Sequence, residues 1–122
     1  MTIDRPPTAY EERVYTMCSA IPKGRVTTYG DMAKALSPPS CARAVGQAMR
    51  RNPFAPKVPC HRVVASDLKL GGFKGSWGTE TANVKLKRQM LLEEGVEIEG
   101  DLIGRHCVVR AGELQRLVAG KK

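Results

Sequence analysis

The segment Ser37–Ser40, with the sequence SPPS, places two consecutive prolines between two short stretches of helical pattern. Because proline cannot extend a helix and disfavours helical geometry in the residue before it, the chain must turn here. Before the turn, Thr28 and Asp31 have the spacing of a capping box at a helix start. After the turn, Ser40 is expected to cap a helix that ends before Pro53. Two short helices joined by four residues predict a helix-turn-helix.

The second of these helices, in the segment CARAVGQAMRRN, carries unusually little side chain over much of its surface. Its small residues are Ala42, Ala44, Gly46 and Ala48. One small-residue face must pack inside the domain, and another would allow close approach to a nucleic-acid groove. Arg43, Arg50 and Arg51 on the same helix favour such a polyanion.

Charge and length support this interpretation. Twenty Lys and Arg residues oppose twelve Asp and Glu residues, which gives a formal charge of +8 and favours nucleic acid as the partner. The 122 residues suffice for one compact domain, expected over residues 9–122 after a loose lead-in over residues 1–8.

No apolar run approaches a membrane span and the N-terminus lacks a signal-peptide core, so we expect an intracellular location, the cytoplasm or a eukaryotic nucleus.

The rest of the chain predicts a mainly α, winged-helix-like domain with a minor β hairpin. The expected elements are a helix over 10–21, a strand or extended segment over 57–66, a glycine-rich loop over 67–78, a helix over 81–95 and a hairpin around Gly100 and Asp101. In the 81–95 helix, Val84, Leu91 and Leu92 are expected to face inward. Its solvated face is expected to carry three cations, Lys85, Lys87 and Arg88.

The segment PCHRVV carries the strongest chemical signal. Cys60 directly precedes His61 and Arg62, and a thiol flanked by cations tends towards a reactive thiolate. The other cysteines are expected to be small core residues, with His106 structural beside the last of them: Cys18, Cys41 and Cys107. The chain has no CxxC pair and no secretory signal, so we expect reduced thiols and neither a metal nor a cofactor.

With these motifs in order, the chain resembles the O6-alkylguanine-DNA alkyltransferase family, the methylated-DNA–protein-cysteine methyltransferases. GRVTTYGDMA, ARAVGQAMRRNP, VPCHRVV, GGF and LLEEG occur with the family's order and spacings over residues 10–96. The resemblance implies the family's active-site and DNA-binding domain, with its usual N-terminal domain absent. The active-site cysteine then lies on the short segment after the recognition helix.

The resemblance implies roles for individual residues. Cys60 matches the alkyl-accepting thiol, His61 the histidine that activates it through a bridging water, and Glu94 the acid that orients this histidine and favours its protonated form. Tyr29 is similar to the tyrosine that rotates the target nucleotide and donates to the leaving guanine. Arg43 is similar to the arginine that fills the gap left in the duplex.

The resemblance also implies a substrate pocket and a minor-groove surface. Asn52 matches a brace of the active-site turn, and the backbones of Cys60 and Val63 match acceptors for the guanine amino group. Pocket positions fall on Met49, Phe73 and Lys74; Phe73 stands where many members have tyrosine. The DNA-binding surface is expected to comprise Tyr29, Ser40, Ala42, Arg43, Gln47 and Arg50.

These roles imply direct, irreversible repair of O6-alkylguanine in double-stranded DNA. The sulfur displaces the alkyl group and becomes a thioether that water cannot hydrolyse, so each molecule acts once, without a cofactor. We expect a monomer that binds alkylated duplex DNA and other repair factors. One alternative is an alkyltransferase-like protein that binds the lesion and recruits excision repair; such proteins typically replace the cysteine, and Cys60 argues against this. The other is a helix-turn-helix regulator with an incidental cysteine.

Overall fold

The computed structural model describes residues 8–51, 58–70 and 82–120. The helices in these residues are α1 (Ala9–Ser19), α2 (Tyr29–Ala35), α3 (Ala42–Arg50), α4 (Ala82–Glu93) and α5 (Ala111–Gly120). The strands are β1 (Thr27–Thr28), β2 (Val63–Val64), β3 (Ile98–Glu99) and β4 (Leu102–Ile103), and two 3₁₀ turns span Cys60–Arg62 and Arg105–Cys107. The prediction of a mainly α domain is confirmed.

Helix α1 starts at a complete capping box. The Thr8 hydroxyl accepts from the Glu11 backbone N–H at 3.1 Å, and the Glu11 carboxylate accepts from the Thr8 N–H at 3.0 Å. Two otherwise unsatisfied donors are thereby paired at the helix start. The buried face of α1 contributes Val14, Met17 and Cys18 to the core, which confirms the helix predicted over this stretch.

Helices α2 and α3 form the predicted helix-turn-helix. Thr28 caps α2, as expected, by accepting from the Asp31 N–H at 2.9 Å. Met32 and Ala33 of α2 are buried in the same cluster as Val45 and Ala48 of α3. The pair thus shares one hydrophobic interior and leaves the opposite face of α3 exposed.

The predicted Ser40 cap of α3 is wrong. Cys41 occupies the N-cap position and makes no capping bond through its side chain. The Ser40 hydroxyl instead bonds the Tyr10 hydroxyl at 2.8 Å, and the Ser40 N–H donates to the carbonyl of Ala33. Ser40 therefore ties the connection to α1 and α2.

The segment around the candidate nucleophile is only partly extended. β2 pairs in parallel with β1, with Thr27 opposite Val63 and Thr28 opposite Val64. The three residues before β2, Cys60–Arg62, form a 3₁₀ turn, so the strand predicted across them is wrong there. Pro59 begins this turn by accepting from the Arg62 N–H at 2.9 Å. The predicted C-terminal hairpin is confirmed as β3 and β4.

Two buried hydrophobic clusters fill the interior. One joins α1, α2 and α3 to α5, and the other joins β2 and α4 to the C-terminal hairpin. Cys60 packs against both clusters from a partly exposed position. The candidate nucleophile therefore lies where the two halves of the core meet.

Three burial predictions were wrong. Leu92 is 42% exposed, although Val84 and Leu91 face inward as expected. Lys87 is completely buried rather than solvated. Cys41 is exposed because it lies at the outer start of α3, whereas Cys18 and Cys107 are core residues. All four cysteines lie in described residues, and none of them forms a disulfide.

Helix α5 was not predicted. It packs against α1 and α2 and buries Leu114 in the larger cluster. Within the part of the chain that the structure describes, no helix has the length and apolar character needed to cross a membrane.

Candidate active site and nucleic-acid interface

The 3₁₀ turn at Cys60–Arg62 presents three consecutive side chains in different environments. The Cys60 N–H donates to the Val58 carbonyl at 2.8 Å, and the Cys60 carbonyl accepts from the Val63 N–H. These bonds hold Cys60 partly exposed, whereas His61 behind it is buried. A fixed backbone thus presents one thiol at the surface of the core.

His61 is bonded to the carboxylate of Glu94. The His61 side chain is 4% exposed, and its Nε2 lies 2.9 Å from Glu94 Oε2. An ionised carboxylate can only accept, so the proton of this hydrogen bond belongs to Nε2. Nδ1 is then the nitrogen that can accept a proton. The expected pairing of His61 with Glu94 is present in the structure.

Arg62 fixes Glu94 from the other side. Its Nε and Nη2 donate to the two carboxylate oxygens of Glu94 at 2.9 and 2.8 Å, and its Nη1 donates to the Ile21 carbonyl at 2.8 Å. Bidentate pairs of this kind are strong and set the orientation of the carboxylate. Arg62 was considered only as a cation flanking the thiol; the structure instead assigns it to Glu94 and the end of α1.

The charges of this network follow from burial and pairing. Burial opposes ionisation of Glu94, but hydrogen bonds from Arg62 and His61 outweigh it and lower the pKa of the carboxyl. Burial also lowers the pKa of His61; the hydrogen bond and charge of Glu94 oppose this, and nearby Arg62 and Lys87 reinforce it. Glu94 favours the protonated form of His61, as expected, but burial outweighs it, so the resting imidazole is neutral at neutral pH.

Lys87 is a component of the site that the sequence analysis missed. It is 0% exposed, and its Nζ donates to the Val63 carbonyl at 2.7 Å. Burial lowers its pKa from 10.5 to about 7, and the charge of Cys60 opposes that shift. Val84, Lys87 and Leu91 have i, i+3, i+7 spacing, so helical periodicity was the signal that could have assigned Lys87 to the buried face.

Tyr29 is the first residue of α2 and packs against the larger core cluster beside Cys60. Burial raises the pKa of Tyr29, and the charges of Cys60 and Cys18 raise it further. The pKa of Cys18 is raised by its own burial and by the charge of Cys60. Tyr29 therefore lies within electrostatic range of the candidate nucleophile and keeps its hydroxyl proton.

The predicted pocket residues are only partly described. Met49 is buried in the larger cluster, and Val63 is buried with its carbonyl already accepting from Lys87. A carbonyl oxygen has a second lone pair, so this acceptor is not exhausted. The other predicted pocket residues lie outside the described residues; they are Asn52, Phe73 and Lys74.

The predicted nucleic-acid residues share the outer surface of α3 and its approach. Arg43, Gln47 and Arg50 are exposed, whereas Ala42 and Ser40 are partly exposed. A groove of about 420 Å³ runs between this surface and the start of α1, and Arg43 and Gln47 contribute to its wall. This groove does not include Cys60, His61 or Glu94, so the α3 surface and the thiol network are separate parts of the candidate site.

Sequence comparison identifies the family. Residues 9–96 match the family model described as 6-O-methylguanine DNA methyltransferase, DNA binding domain. The methylated-DNA–protein-cysteine methyltransferase of Methanothermobacter thermautotrophicus is 42% identical over 76% of this chain and 48% of its own length. The Mycobacterium leprae protein of the same name is 36% identical over 70% of this chain and 52% of its own. The chain thus spans about half the length of these curated relatives.

Solved structures agree with this result. Mycobacterium tuberculosis OGT in complex with DNA is similar with a TM-score of 0.62 and 36% identity, over 75% of this chain and 53% of that one. S. pombe Atl1 in complex with damaged DNA containing O6-carboxymethylguanine is similar with a TM-score of 0.63 and 36% identity, over 78% of this chain and 83% of that one. The resemblance inferred from five motifs is confirmed, and the chain belongs to the O6-methylguanine DNA methyltransferase family, whose DNA-binding domain it contains.

Proposed function

We propose that this domain repairs duplex DNA by transferring an alkyl group from O6 of guanine to the sulfur of Cys60. The observation that carries the proposal is the partly exposed thiol of Cys60, held beside the buried His61–Glu94 pair. Displacement at a saturated carbon requires a strong, soft nucleophile, and a thiolate meets that requirement better than a hydroxyl.

The neutral imidazole of His61 suits the first proton transfer. Nε2 donates to Glu94, which leaves Nδ1 to accept the thiol proton through a bridging water. The imidazolium that forms is stabilised by the Glu94 carboxylate, which Arg62 holds in position. The network therefore accepts a proton without rearranging.

Lys87 supplies positive charge on the inner side of the site. With a pKa of about 7, it is present in both charge states at neutral pH. Its protonated form stabilises the Cys60 thiolate across the low-dielectric interior. Both this effect and proton loss to His61 favour the ionised sulfur.

Tyr29 acts on the leaving base. Its raised pKa keeps the hydroxyl protonated, so it can donate a hydrogen bond to the guanine as negative charge develops there. As the sulfur–carbon bond forms and the carbon–O6 bond breaks, the proton released by the thiol is balanced by one gained by the guanine base. The products are a thioether at Cys60 and unmodified guanine, and one molecule performs one transfer.

The α3 surface is proposed to bind the minor groove, where its small residues permit close approach. The solved relatives from M. tuberculosis and S. pombe described above are complexes with DNA, which supports this assignment. Extruding a nucleotide costs a few kcal/mol. Arg43, exposed near the start of α3, would offset part of that cost by occupying the space left by the base.

A second candidate function is lesion binding without transfer. This function is supported by the similarity to S. pombe Atl1, which covers 83% of that chain and was solved in complex with damaged DNA containing O6-carboxymethylguanine. The presence of Cys60 with His61, Glu94 and Lys87 around it favours transfer.

The two functions differ in the mass of the protein after reaction. The protein is incubated with a duplex carrying one O6-methylguanine and is then measured by intact and peptide mass spectrometry. We expect one added methyl group on the peptide containing Cys60. The Cys60→Ala variant should remain unmodified, whereas Cys41→Ala, which removes an exposed cysteine that is not part of the His61–Glu94 network, should still gain one methyl group on Cys60.

Tight binding of the lesion duplex without a mass change would support the lesion-binding function. A methyl group found on Cys41 would contradict the assignment of Cys60. Equal affinity for damaged and undamaged DNA, again without a mass change, would exclude both candidates.

A further inference from the structure

The C-terminal segment Cys107–Glu113 runs back along the edge of β1. The Val26 N–H donates to the Cys107 carbonyl at 2.8 Å, and the Val109 N–H donates to the Val26 carbonyl at 2.6 Å. The Thr27 hydroxyl donates to the Val109 carbonyl at 2.7 Å. This segment lies beyond the residues 9–96 that match the family model. We call it the C-terminal clamp.

The Arg25 side chain reinforces the backbone contacts of the C-terminal clamp. Arg25 donates to the Cys107 and Val108 carbonyls, both at 3.2 Å, and forms a two-point pair with Glu113 at 3.1 and 3.3 Å. Arg25, two residues before β1, is therefore bound to both ends of the clamp, Cys107 and Glu113, the latter in the first turn of α5.

In its middle, at Arg110 and Ala111, the clamp binds the first turn of α2 through Asp31. One oxygen of the Asp31 carboxylate accepts from the Ala111 N–H at 3.2 Å. The other accepts from Arg110 at 3.1 Å and from the Thr28 hydroxyl at 2.7 Å. The Asp31 side chain is only 11% exposed, whereas that of Arg110 is 58% exposed, so a shielded carboxylate is held by a charge-assisted bond from the surface.

Tyr29 lies between Thr28, whose hydroxyl donates to this carboxylate, and Asp31, which carries it. Thr28 precedes it as the N-cap, and Asp31 follows it in the same turn. On its opposite edge, β1 pairs with β2, which begins directly after the turn that carries Cys60. The C-terminal clamp, β1 and β2 thus lie side by side, and this arrangement sets the position of Tyr29 relative to Cys60.

We propose that the C-terminal clamp is a positioning element for the transfer reaction, in which the Arg110–Asp31 pair holds the first turn of α2 and thereby aims the Tyr29 hydroxyl at the base presented to Cys60. This inference rests on the proposed function, because it assigns Tyr29 its role on the leaving guanine. Arg110 does not contact the substrate and acts through Asp31.

Arg110→Ala tests the proposal with little risk to folding, because the Arg110 side chain is 58% exposed. With free O6-benzylguanine as the substrate, DNA binding does not contribute to the rate. We expect the second-order rate constant to fall about 3- to 10-fold, less than the roughly 100-fold cost of a full ångström of misplacement. Arg110→Lys should restore most of the rate, and Arg116→Ala, an exposed arginine on α5, should leave it unchanged.

A double-mutant cycle separates positioning from a general loss of structure. If Arg110 acts through Tyr29, Arg110→Ala should slow the wild type but have no further effect in a Tyr29→Phe background. A loss of equal size in both backgrounds would overturn the proposal. An unchanged rate in the Arg110→Ala single variant would overturn it as well.

A second readout does not depend on transfer. The protein is labelled with 3-fluorotyrosine, and the Tyr29 fluorine resonance is identified by its disappearance in Tyr29→Phe. Arg110→Ala should shift or broaden this resonance, whereas Arg116→Ala should not. If the wild type transfers no benzyl group, the proposed function fails and the resonance alone decides the positioning role. An unmoved Tyr29 resonance would overturn that role.

Discussion

Lys87 shows how one buried side chain changes the electrostatics of the candidate site. A lysine is rarely buried without a partner, since removing an ammonium from water is costly. Here the Val63 carbonyl accepts from Nζ at 2.7 Å, and the pKa falls to about 7 because burial disfavours the charged form. Burying Lys87 costs free energy of folding, and the proposed stabilisation of the Cys60 thiolate gives that cost a function.

This burial predicts a specific dependence of stability on pH. The pKa of Lys87 is about 7 in the folded protein and near 10.5 in the unfolded chain. Between those values the unfolded chain binds more protons, so the free energy of unfolding rises with pH. Below about pH 7, Lys87 is charged in both states, and the full free-energy cost of burying its charged form is present. Relative to the wild type, Lys87→Met should gain about 1–4 kcal/mol as pH falls from about 10 to about 7. Urea unfolding across this range measures the difference.

Lys85→Met is the matched control, because Lys85 is exposed on the same helix. Its stability difference from the wild type should stay constant over the same pH range. A difference for Lys87→Met that did not change with pH would mean that Lys87 keeps an ordinary pKa in the folded protein. Under the proposed function, Lys87→Met should also slow the reaction of Cys60 with O6-benzylguanine near neutral pH.

Among the elements, α3 has two faces with different tasks. Val45, Ala48 and Met49 pack into the core, whereas Arg43 and Arg50 remain exposed on the outer surface. The inner face fixes the helix relative to α2, and the outer face is available to a polyanion. An exposed arginine near the start of α3 can enter a duplex without disturbing the packing of the helix.

For Arg43→Ala we expect the rate of transfer from a duplex substrate to fall about 10- to 100-fold. This corresponds to a loss of about 1.4–2.7 kcal/mol in the stabilisation of the extruded nucleotide. Reaction with free O6-benzylguanine should stay close to the wild-type rate, because no nucleotide has to be extruded. Single-turnover kinetics on both substrates measure the two effects separately.

Arg50→Ala, at the other end of the same helix, should reduce duplex repair by less, since it removes an exposed charge without removing the proposed wedge. Equal losses for Arg43→Ala on the duplex and on the free base would contradict an inserted side chain. They would assign Arg43 to the chemistry or to the fold instead.

For the whole molecule, the charge of +8 and the placement of Cys60 between two core clusters describe two separate requirements. Under the proposed function, DNA association would depend on the charge, whereas the transfer step would depend on the buried network. If about five phosphates are neutralised, affinity for undamaged duplex should fall about 10²- to 10³-fold between 50 and 200 mM salt. Fluorescence anisotropy titrations at several salt concentrations give the slope.

The reaction with free O6-benzylguanine serves as the control for this prediction. Its rate should change little over the same salt range, because the His61–Glu94 pair is largely shielded from solvent. A duplex affinity that was insensitive to salt would argue against phosphate contacts as the main source of binding.

Local patterns predicted much of the fold. The Thr28 cap, the helix-turn-helix and the C-terminal hairpin depend on side-chain spacing and on turn residues such as Gly100, whose φ is +66°. The Ser40 cap failed because the hydroxyl found a partner in Tyr10, thirty residues earlier. Helix α5 was missed because Leu114 becomes a core residue only when α1 and α2 are already in place to cover it.

The sequence by itself was enough to select the candidate groups, because a thiol, an imidazole and a carboxylate in family spacing pick out Cys60, His61 and Glu94. Only the tertiary structure decided the charge states of His61 and Glu94. Burial makes the His61 imidazole neutral, and the buried side of α4 carries Lys87 into contact with the carbonyl of Val63. A local pattern can indicate which face of a helix is buried, but the size of a pKa shift depends on everything that surrounds the group in space.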